Sequence, residues 1–193
     1  MSQWIFNIAY ILFAVGTTVI RTPHQKRNKS NIITLDQKTT LEKVLLFMVS
    51  TGMMFLPLLY MFSPWLGFAD YHLPIWLQWV GVGILGISLW LFYRSHKDLG
   101  RNWSVSLEIR EEHSLITNGV YQHIRHPMYS SIWLWVIAQA LLLPNYFAGL
   151  GGLIGFGALY FLRVSKEEDM MIEKFGEAYQ DYMKVTNRLI PKF

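Results

Sequence analysis

The chain has 193 residues, of which 52% are hydrophobic, 16% aromatic and only 16% charged, proportions that favour an integral membrane protein over a soluble domain. The absence of cysteine excludes disulfides, thiolate metal sites and a cysteine nucleophile. The net charge of +4 does not favour nucleic-acid binding, because the basic residues lie in blocks beside apolar runs and not along one soluble face.

Five apolar runs approach the roughly 20 residues that a helix needs to cross the hydrocarbon layer of a membrane. The sequence therefore predicts an all-α integral membrane protein with five transmembrane helices. Residues 1–93 hold the first three, at about 4–20, 44–62 and 75–93. The last two form a hairpin at about 129–143 and 146–165, joined by Pro144-Asn145, within a catalytic region formed by residues 94–193. A charged, helical tail follows.

The polar segment Arg94 to Met128 is long for a loop in a compact protein unless it has a function. Hydrophobic and polar residues alternate in its middle, which indicates an extended strand over residues 103–110. This strand could turn back at His113 into residues 114–117, and Asn118-Gly119 is a turn signal. An extended cytosolic cap is expected here.

Charge distribution predicts the topology. All 17 Lys and Arg residues lie in three segments, 21–43, 94–128 and 163–192, whereas the amino terminus and the turns at 69–74 and 144–145 have none. Basic segments face the cytosol in multi-pass proteins. We therefore expect the amino terminus outside or in a lumen, and the carboxyl terminus and the candidate site on the cytosolic side.

Ionisable residues cluster at both ends of the last hairpin. Arg163 and Glu167 are one helical turn apart, beside Glu168, and this arrangement fits either an interfacial ion pair or a site for a charged ligand. His126-Pro127 begins the fourth helix, whose free amides can attract an anion. A metal site formed by His113, His123 and His126 is not expected, because their spacing matches no familiar ligand set.

Several motifs near these clusters resemble the isoprenylcysteine carboxyl methyltransferase family and its phospholipid-methyltransferase relatives, in particular the short, prokaryotic-type members. The resemblance covers roughly Leu99 to Pro191. It depends on separate motifs that occur in the family's order, namely His113-Ser114-Leu115-Ile116-Thr117-Asn118-Gly119-Val120-Tyr121, Arg125-His126-Pro127-Met128-Tyr129, Glu167-Glu168, and Phe175-Gly176-Glu177-Ala178-Tyr179-Gln180-Asp181-Tyr182.

This resemblance implies a cofactor, S-adenosylmethionine, with S-adenosylhomocysteine as product, in a cytosolic pocket between the segment before the fourth helix and the tail. It implies Arg163 as the substrate-binding and catalytic residue, and Glu168 is a candidate base if the acceptor is an amine. The implied cofactor-binding residues are His113, Ser114, Leu115, Ile116, Gly119, Val120, Tyr121, His123, His126, Pro127, Met128, Tyr129 and Glu167.

The predicted function is methyl transfer to the α-carboxylate of a prenylated cysteine or a similar lipid-tailed acid. The apolar tail of such a substrate could stay among membrane lipids while its head group enters the pocket. The alternatives are a phospholipid or other amine N-methyltransferase, an NADPH-dependent membrane reductase related to sterol reductases, and a non-catalytic membrane scaffold or transporter.

Overall fold

The computed structural model describes residues 3–28, 33–36, 39–100, 108–110 and 114–192, which form a bundle of long helices with one small β-ribbon. In chain order its elements are α1 (Trp4–Asn28), β1 (Ile33–Asp36), α2 (Thr40–Ser50), a π-helical turn (Thr51–Phe55), α3 (Leu56–Phe62), a 3₁₀ turn (Gly67–Ala69), α4 (Ile75–Leu99), β2 (Glu108–Arg110), a second 3₁₀ turn (Gly119–Gln122), α5 (Pro127–Leu142), α6 (Tyr146–Phe175) and α7 (Glu177–Val185).

Four helical segments are long and apolar enough to cross a membrane: Trp4–Gln25, Thr40–Phe62, Ile75–Leu99 and Tyr146–Phe175. The remaining apolar helix, α5, has 16 residues. At 1.5 Å per residue it is about 24 Å long, which is less than the roughly 30 Å of a hydrocarbon core. The helical membrane architecture is confirmed, while the count of five spans stays a prediction.

Three helices extend beyond the predicted spans into the charged segments, and α1 does so through Pro23. Helix α1 continues to Asn28, α4 to Leu99 and α6 to Phe175, so the first part of the predicted charged tail is the end of α6. Helices α4 and α6 both end at a glycine with a φ of +56°, Gly100 and Gly176. A left-handed residue at this position stops a helix, and glycine adopts it without steric cost.

A π-helical turn widens the second span, and side chains from other helices satisfy the carbonyls near it. Gln139 on α5 donates hydrogen bonds to the carbonyl oxygens of Gly52, at 2.7 Å, and Ala148, at 2.6 Å. The hydroxyl of Tyr10 on α1 lies 2.7 Å from the Met53 carbonyl oxygen and 2.8 Å from Gln139 Oε1. Because lipid offers no hydrogen bonds, these contacts let the helix depart from regular geometry inside the bundle.

The turns without basic residues meet at one end of the bundle. The Tyr71 amide donates to the Pro144 carbonyl oxygen at 2.9 Å, and Asn145 Nδ2 donates to Asp70 Oδ1 at 2.8 Å. Near the amino terminus, Gln3 Nε2 donates to the Leu142 carbonyl oxygen at 2.7 Å. Among the described residues, Arg21, Arg125 and Arg163, one from each basic segment, lie around a common cavity at the opposite end. Which side of a membrane each end faces stays a prediction.

The polar segments pair differently from the predicted cap. Strand β2 pairs antiparallel with β1, which lies in the segment between the first two spans, with Leu35 opposite Ile109 and Asp36 opposite Glu108. Residues 114–117 have no regular secondary structure, so the predicted turn back into them does not produce a strand. The alternating pattern indicated an extended segment but carried no information about its partner strand. The rest of the predicted strand, residues 103–107, lies outside the described residues.

We predict that Gln139→Leu destabilises the bundle, because it removes the buried side-chain donor to the Gly52 and Ala148 carbonyl oxygens, at a cost of roughly 1–3 kcal/mol. Thermal unfolding of the detergent-solubilised protein measures the effect. Ile137→Leu, at a more exposed position of the same helix, is the control and should leave the melting temperature nearly unchanged. Equal melting temperatures for the two variants would show that Gln139 is not needed to satisfy the widened turn.

Candidate active site

A cavity of about 640 Å³ lies at the end of the bundle where the basic segments meet. Its wall comes from α1, the second span, α4, α5, α6, α7 and the segment before α5. One part of the wall is apolar, with Leu46, Val49, Met53, Ile132 and Phe156, and another part carries ionisable and phenolic side chains. The cavity therefore suits a ligand that has both a polar and an apolar part.

Arg163 and Glu167, one turn apart on α6, form the centre of the polar part. Arg163 Nη1 lies 3.4 Å from Glu42 Oε1, and Arg163 Nε lies 3.7 Å from Glu167 Oε2. The hydroxyl of Tyr129, on α5, donates to the same Glu167 oxygen. The side chain of Glu167 is 35% exposed, compared with 9% for Arg163 and 5% for Glu42. Glu167 is thus the member of this group that can still accept hydrogen bonds from a ligand.

Glu168 is buried among two arginines and a histidine. Its Oε1 lies 3.1 Å from Arg125 Nε and 3.2 Å from His126 Nε2, and its Oε2 accepts from Arg188 Nε at 2.9 Å and Arg188 Nη2 at 2.5 Å. The Glu168 side chain is only 3% exposed. The hydrogen bond to Glu168 raises the pKa of Arg188, which therefore keeps its positive charge. Both Glu168 oxygens are thus engaged in holding other side chains.

The segment after α7 is held against the start of α5 by backbone contacts. The Arg125 amide donates to the Asn187 carbonyl oxygen at 2.9 Å, and the His126 amide donates to the Arg188 carbonyl oxygen at 3.0 Å. Ser130 Oγ donates to the Leu189 carbonyl oxygen at 2.7 Å. These contacts explain how two distant parts of the chain share one pocket wall.

Helix α7 contributes two tyrosines to that wall, Tyr179 and Tyr182. The Tyr182 hydroxyl donates to the carbonyl oxygen of Tyr121 in the segment before α5. Burial raises the pKa of both Tyr121 and Tyr182, so the two phenols stay neutral at physiological pH. They can act as hydrogen-bond donors and aromatic surfaces.

The turn before α5 is fixed by Asp98 at the end of α4. Asp98 Oδ2 accepts from the Val120 amide at 2.9 Å. Gly119, with a φ of +60°, lies directly against the Asp98 carboxylate, where any larger residue would collide with it. Glycine is needed for both the backbone conformation and the close approach. Gly119 and Val120 therefore position Tyr121, which lines the cavity.

The structure brings most of the predicted site residues to the cavity wall. Those that line it are Ser114, Leu115, Ile116, Tyr121, His126, Met128, Tyr129, Arg163 and Glu167. Four others lie behind the wall or on the surface: Gly119 and Val120 contact Asp98, Pro127 is buried at the start of α5, and His123 is exposed. His113 lies outside the described residues. Within the described part, no three His, Asp or Glu side chains are arranged as metal ligands.

Sequence reasoning missed several residues of the polar wall. Glu42 is not among the predicted site residues, although an acidic residue beside a predicted apolar span is itself a signal of function. Arg21, Tyr179 and Tyr182 also line the cavity. Tyr179 and Tyr182 lie in the motif at 175–182, which assigns neither of them to the site, and no local pattern distinguishes Arg21 from a residue that ends a helix. Their role follows only from the packing of α1 and α7 around the α5–α6 hairpin.

The site lies within a stretch that matches a known family. Residues 80–173 match the sequence model of the isoprenylcysteine carboxyl methyltransferase (ICMT) family. This region belongs to the ICMT family. The resemblance indicated by the motifs is thus confirmed, although the match begins inside α4, earlier than predicted, and ends before the motif at 175–182.

Curated relatives of the ICMT-family region carry the name protein-S-isoprenylcysteine O-methyltransferase. The protein from Dictyostelium discoideum is 38% identical over 84 residues, which are 42% of this chain and 34% of the relative. The protein from Schizosaccharomyces pombe is 27% identical over 116 residues, 59% of this chain and 49% of the relative. Enzyme B from Arabidopsis thaliana is 32% identical over 85 residues, 43% of each chain. The chain thus spans less than half the length of each of these relatives.

A solved structure shares the fold. The eukaryotic intramembrane Ras methyltransferase ICMT superposes with a TM-score of 0.54 over 82% of this chain and 54% of that chain, at 22% sequence identity. At this identity the likeness supports the helical arrangement alone. The superposed region nevertheless extends well beyond the stretch that matches the family in sequence.

We predict that Glu168→Gln loosens the carboxyl-terminal segment, because it leaves Arg125 and Arg188 without their shared counter-charge. Removing one partner of a buried ion pair costs roughly 3–5 kcal/mol. Thermal unfolding and hydrogen exchange at residues 186–189 measure the loss. Asp169→Asn, an exposed neighbour on the same helix, is the control. Unchanged exchange at these residues in Glu168→Gln would contradict the anchoring role.

Proposed function

We propose that this protein is a membrane methyltransferase that uses S-adenosylmethionine to methylate the carboxylate of a lipid-tailed acid, such as the α-carboxylate of a prenylated cysteine. The observation that carries the proposal is the cavity wall, in which an Arg163–Glu167 pair, a row of tyrosines and an apolar patch face the same space. The family of residues 80–173 supports it. The cytosolic location of the site is part of the proposal.

The polar wall fits the groups of this cofactor. The partly exposed Glu167 carboxylate can accept hydrogen bonds from a ribose diol or an ammonium group, and Tyr129 holds it in place. Tyr121, Tyr179 and Tyr182 offer aromatic surfaces to adenine or to a sulfonium. The amino-terminal end of α5, beside His126, favours a carboxylate. When bound, the cofactor supplies an electrophilic methyl group on a positively charged sulfur.

A carboxylate acceptor needs no base. At neutral pH a carboxylic acid is already ionised and has no proton to lose, so the protein must mainly position it and exclude water. Alignment of two reacting groups can contribute roughly 7–11 kcal/mol. Arg163, held by Glu42 and Glu167, is a rigid cation near which an acceptor can be oriented.

An amine acceptor requires a base, and the structure does not favour Glu168 in that role. Its carboxylate is 3% exposed and contacts Arg125, His126 and Arg188, three groups that stabilise its ionised form. A base must accept a proton from the substrate, and these neighbours oppose that change. Glu168 is better described as a positioning residue.

The apolar part of the wall gives the acceptor tail a place. Leu46, Val49 and Met53 from the second span line the cavity together with Ile132 from α5 and Phe156 from α6. At about 25 cal/mol per Å² of buried apolar area, a long hydrocarbon tail supplies binding energy remote from the reacting group. Such a tail can therefore fix the position of a small head group.

Cofactor binding provides a direct test. We expect calorimetry of the purified protein to show binding of S-adenosylhomocysteine and none of NADPH. Glu167→Gln should weaken the former about tenfold or more, because it removes a charge-assisted hydrogen-bond acceptor. Glu173→Gln makes the same change at an exposed site on α6 and is the matched control. Binding of NADPH alone would favour the reductase, and binding of neither would favour a scaffold.

The role of Arg163 needs a test that separates catalysis from folding, because Arg163→Ala alone leaves Glu42 buried without this cation. We predict that Arg163→Ala abolishes methylation of a prenylcysteine analogue with only a modest loss of cofactor affinity. The double variant Glu42→Gln/Arg163→Gln removes both charges, so the net charge does not change. Compared with Arg163→Ala, it should regain thermal stability but not turnover. Turnover regained by the double variant would show that Arg163 serves only as the partner of Glu42.

A further inference from the structure

The charges around Arg163 leave little attraction for another anion. Its guanidinium faces two carboxylates, those of Glu42 at 3.4 Å and Glu167 at 3.7 Å. An acceptor carboxylate placed beside Arg163 would be the third carboxylate around a single cation. In a site mostly shielded from water, such an excess of negative charge is unfavourable unless a second cation takes part.

Arg125, another cation of the cavity wall, is already engaged. Its Nε contacts Glu168, and its Nη1 donates to the carbonyl oxygens of Met183, at 3.2 Å, and Thr186. Its side chain is only 9% exposed. Its position and hydrogen bonds commit it to the carboxyl-terminal segment rather than to a ligand.

Arg21 on α1 also lines this cavity and is exposed. It belongs to a stripe of α1 residues that face the cavity at intervals of three or four, Ala14, Thr17, Arg21 and Gln25. This spacing places them on one side of the helix. The stripe changes from apolar to polar toward the end of the candidate span Trp4–Gln25. Its apolar part matches the tail of a membrane-bound acid, and its polar part matches the head group.

A charged residue within a candidate span that faces a cavity is a functional signal. The apolar patch at Leu46 and Met53 and the cation at Arg21 border the same cavity. A molecule with an apolar tail and an anionic head can therefore contact both at once. An arginine fork also matches a carboxylate with two parallel hydrogen bonds.

We propose that Arg21 is a specificity-determining residue that recognises the anionic head group of the acceptor, a carboxylate in a lipid-tailed acid. This inference rests on the proposed function for the identity of the acceptor. Arg21 adds a second positive charge to the cavity wall that holds Arg163. The acceptor carboxylate then lies between α1 and α6, with its tail along the second span.

Binding measurements separate this inference from the activity. An N-acylated prenylcysteine and its neutral carboxamide are titrated into the purified full-length protein in the presence of S-adenosylhomocysteine. We expect the wild type to bind the acid more tightly. Arg21→Gln should weaken acid binding about tenfold or more, with no change for the carboxamide. Arg21→Lys, which keeps the charge but not the two parallel hydrogen bonds, should recover only part of the loss. Lys43→Gln removes a positive charge outside the cavity lining and should have no effect.

Three results would overturn the inference. The first is unchanged acid binding in Arg21→Gln, and the second is an equal loss for acid and carboxamide, which indicates a structural role. Short-chain phosphatidylethanolamine is titrated in parallel. The third result is a loss of binding in Arg21→Gln that is confined to this lipid, which identifies a phosphate as the anion. The proposed function is tested separately, by transfer of a labelled methyl group to the acid in the wild type. If transfer is absent but Arg21 still distinguishes acid from carboxamide, the proposed function fails and the recognition stands.

Discussion

A carboxylate enclosed by two arginines and a histidine holds the carboxyl-terminal half of this protein together. Glu168 on α6 contacts Arg125 and His126 before α5, and Arg188 after α7. Burying these charges separately would be costly, so they stabilise the fold only when all are assembled. The position of the His126 corner, and with it the whole polar wall of the cavity, depends on this contact.

The second charged group, Arg163 with Glu42 and Glu167, links the start of the second span to α6. The two groups differ in exposure: Glu168 is enclosed, whereas Glu167 reaches the cavity. Two adjacent glutamates on one helix thus have different tasks, because successive residues point about 100° apart around the helix axis. One anchors the surrounding segments, and the other is available to a ligand.

Inside the bundle, buried polar groups also have partners from other helices, but these partners are neutral side chains. Gln139 and Tyr10 satisfy carbonyls near the π-helical turn, which lies in the span that forms much of the apolar wall. The irregular backbone is tolerated because polar side chains from two other helices reach it. Thus ion pairs shape the polar part of the cavity wall, and the π-helical turn with its hydrogen bonds shapes the apolar part.

The sequence by itself determined the helical membrane class, the last hairpin and the family, because hydrophobic run length, charge asymmetry and the His126-to-Tyr129 and Glu167-Glu168 motifs are local properties. It also indicated that the basic segments share one end of the bundle. Only the tertiary structure decided that β1 pairs with β2, that Glu42 joins Arg163, and that Arg21, Tyr179 and Tyr182 reach the cavity. These are contacts between residues far apart in the chain, and no local pattern specifies which partner a charged or extended segment will meet.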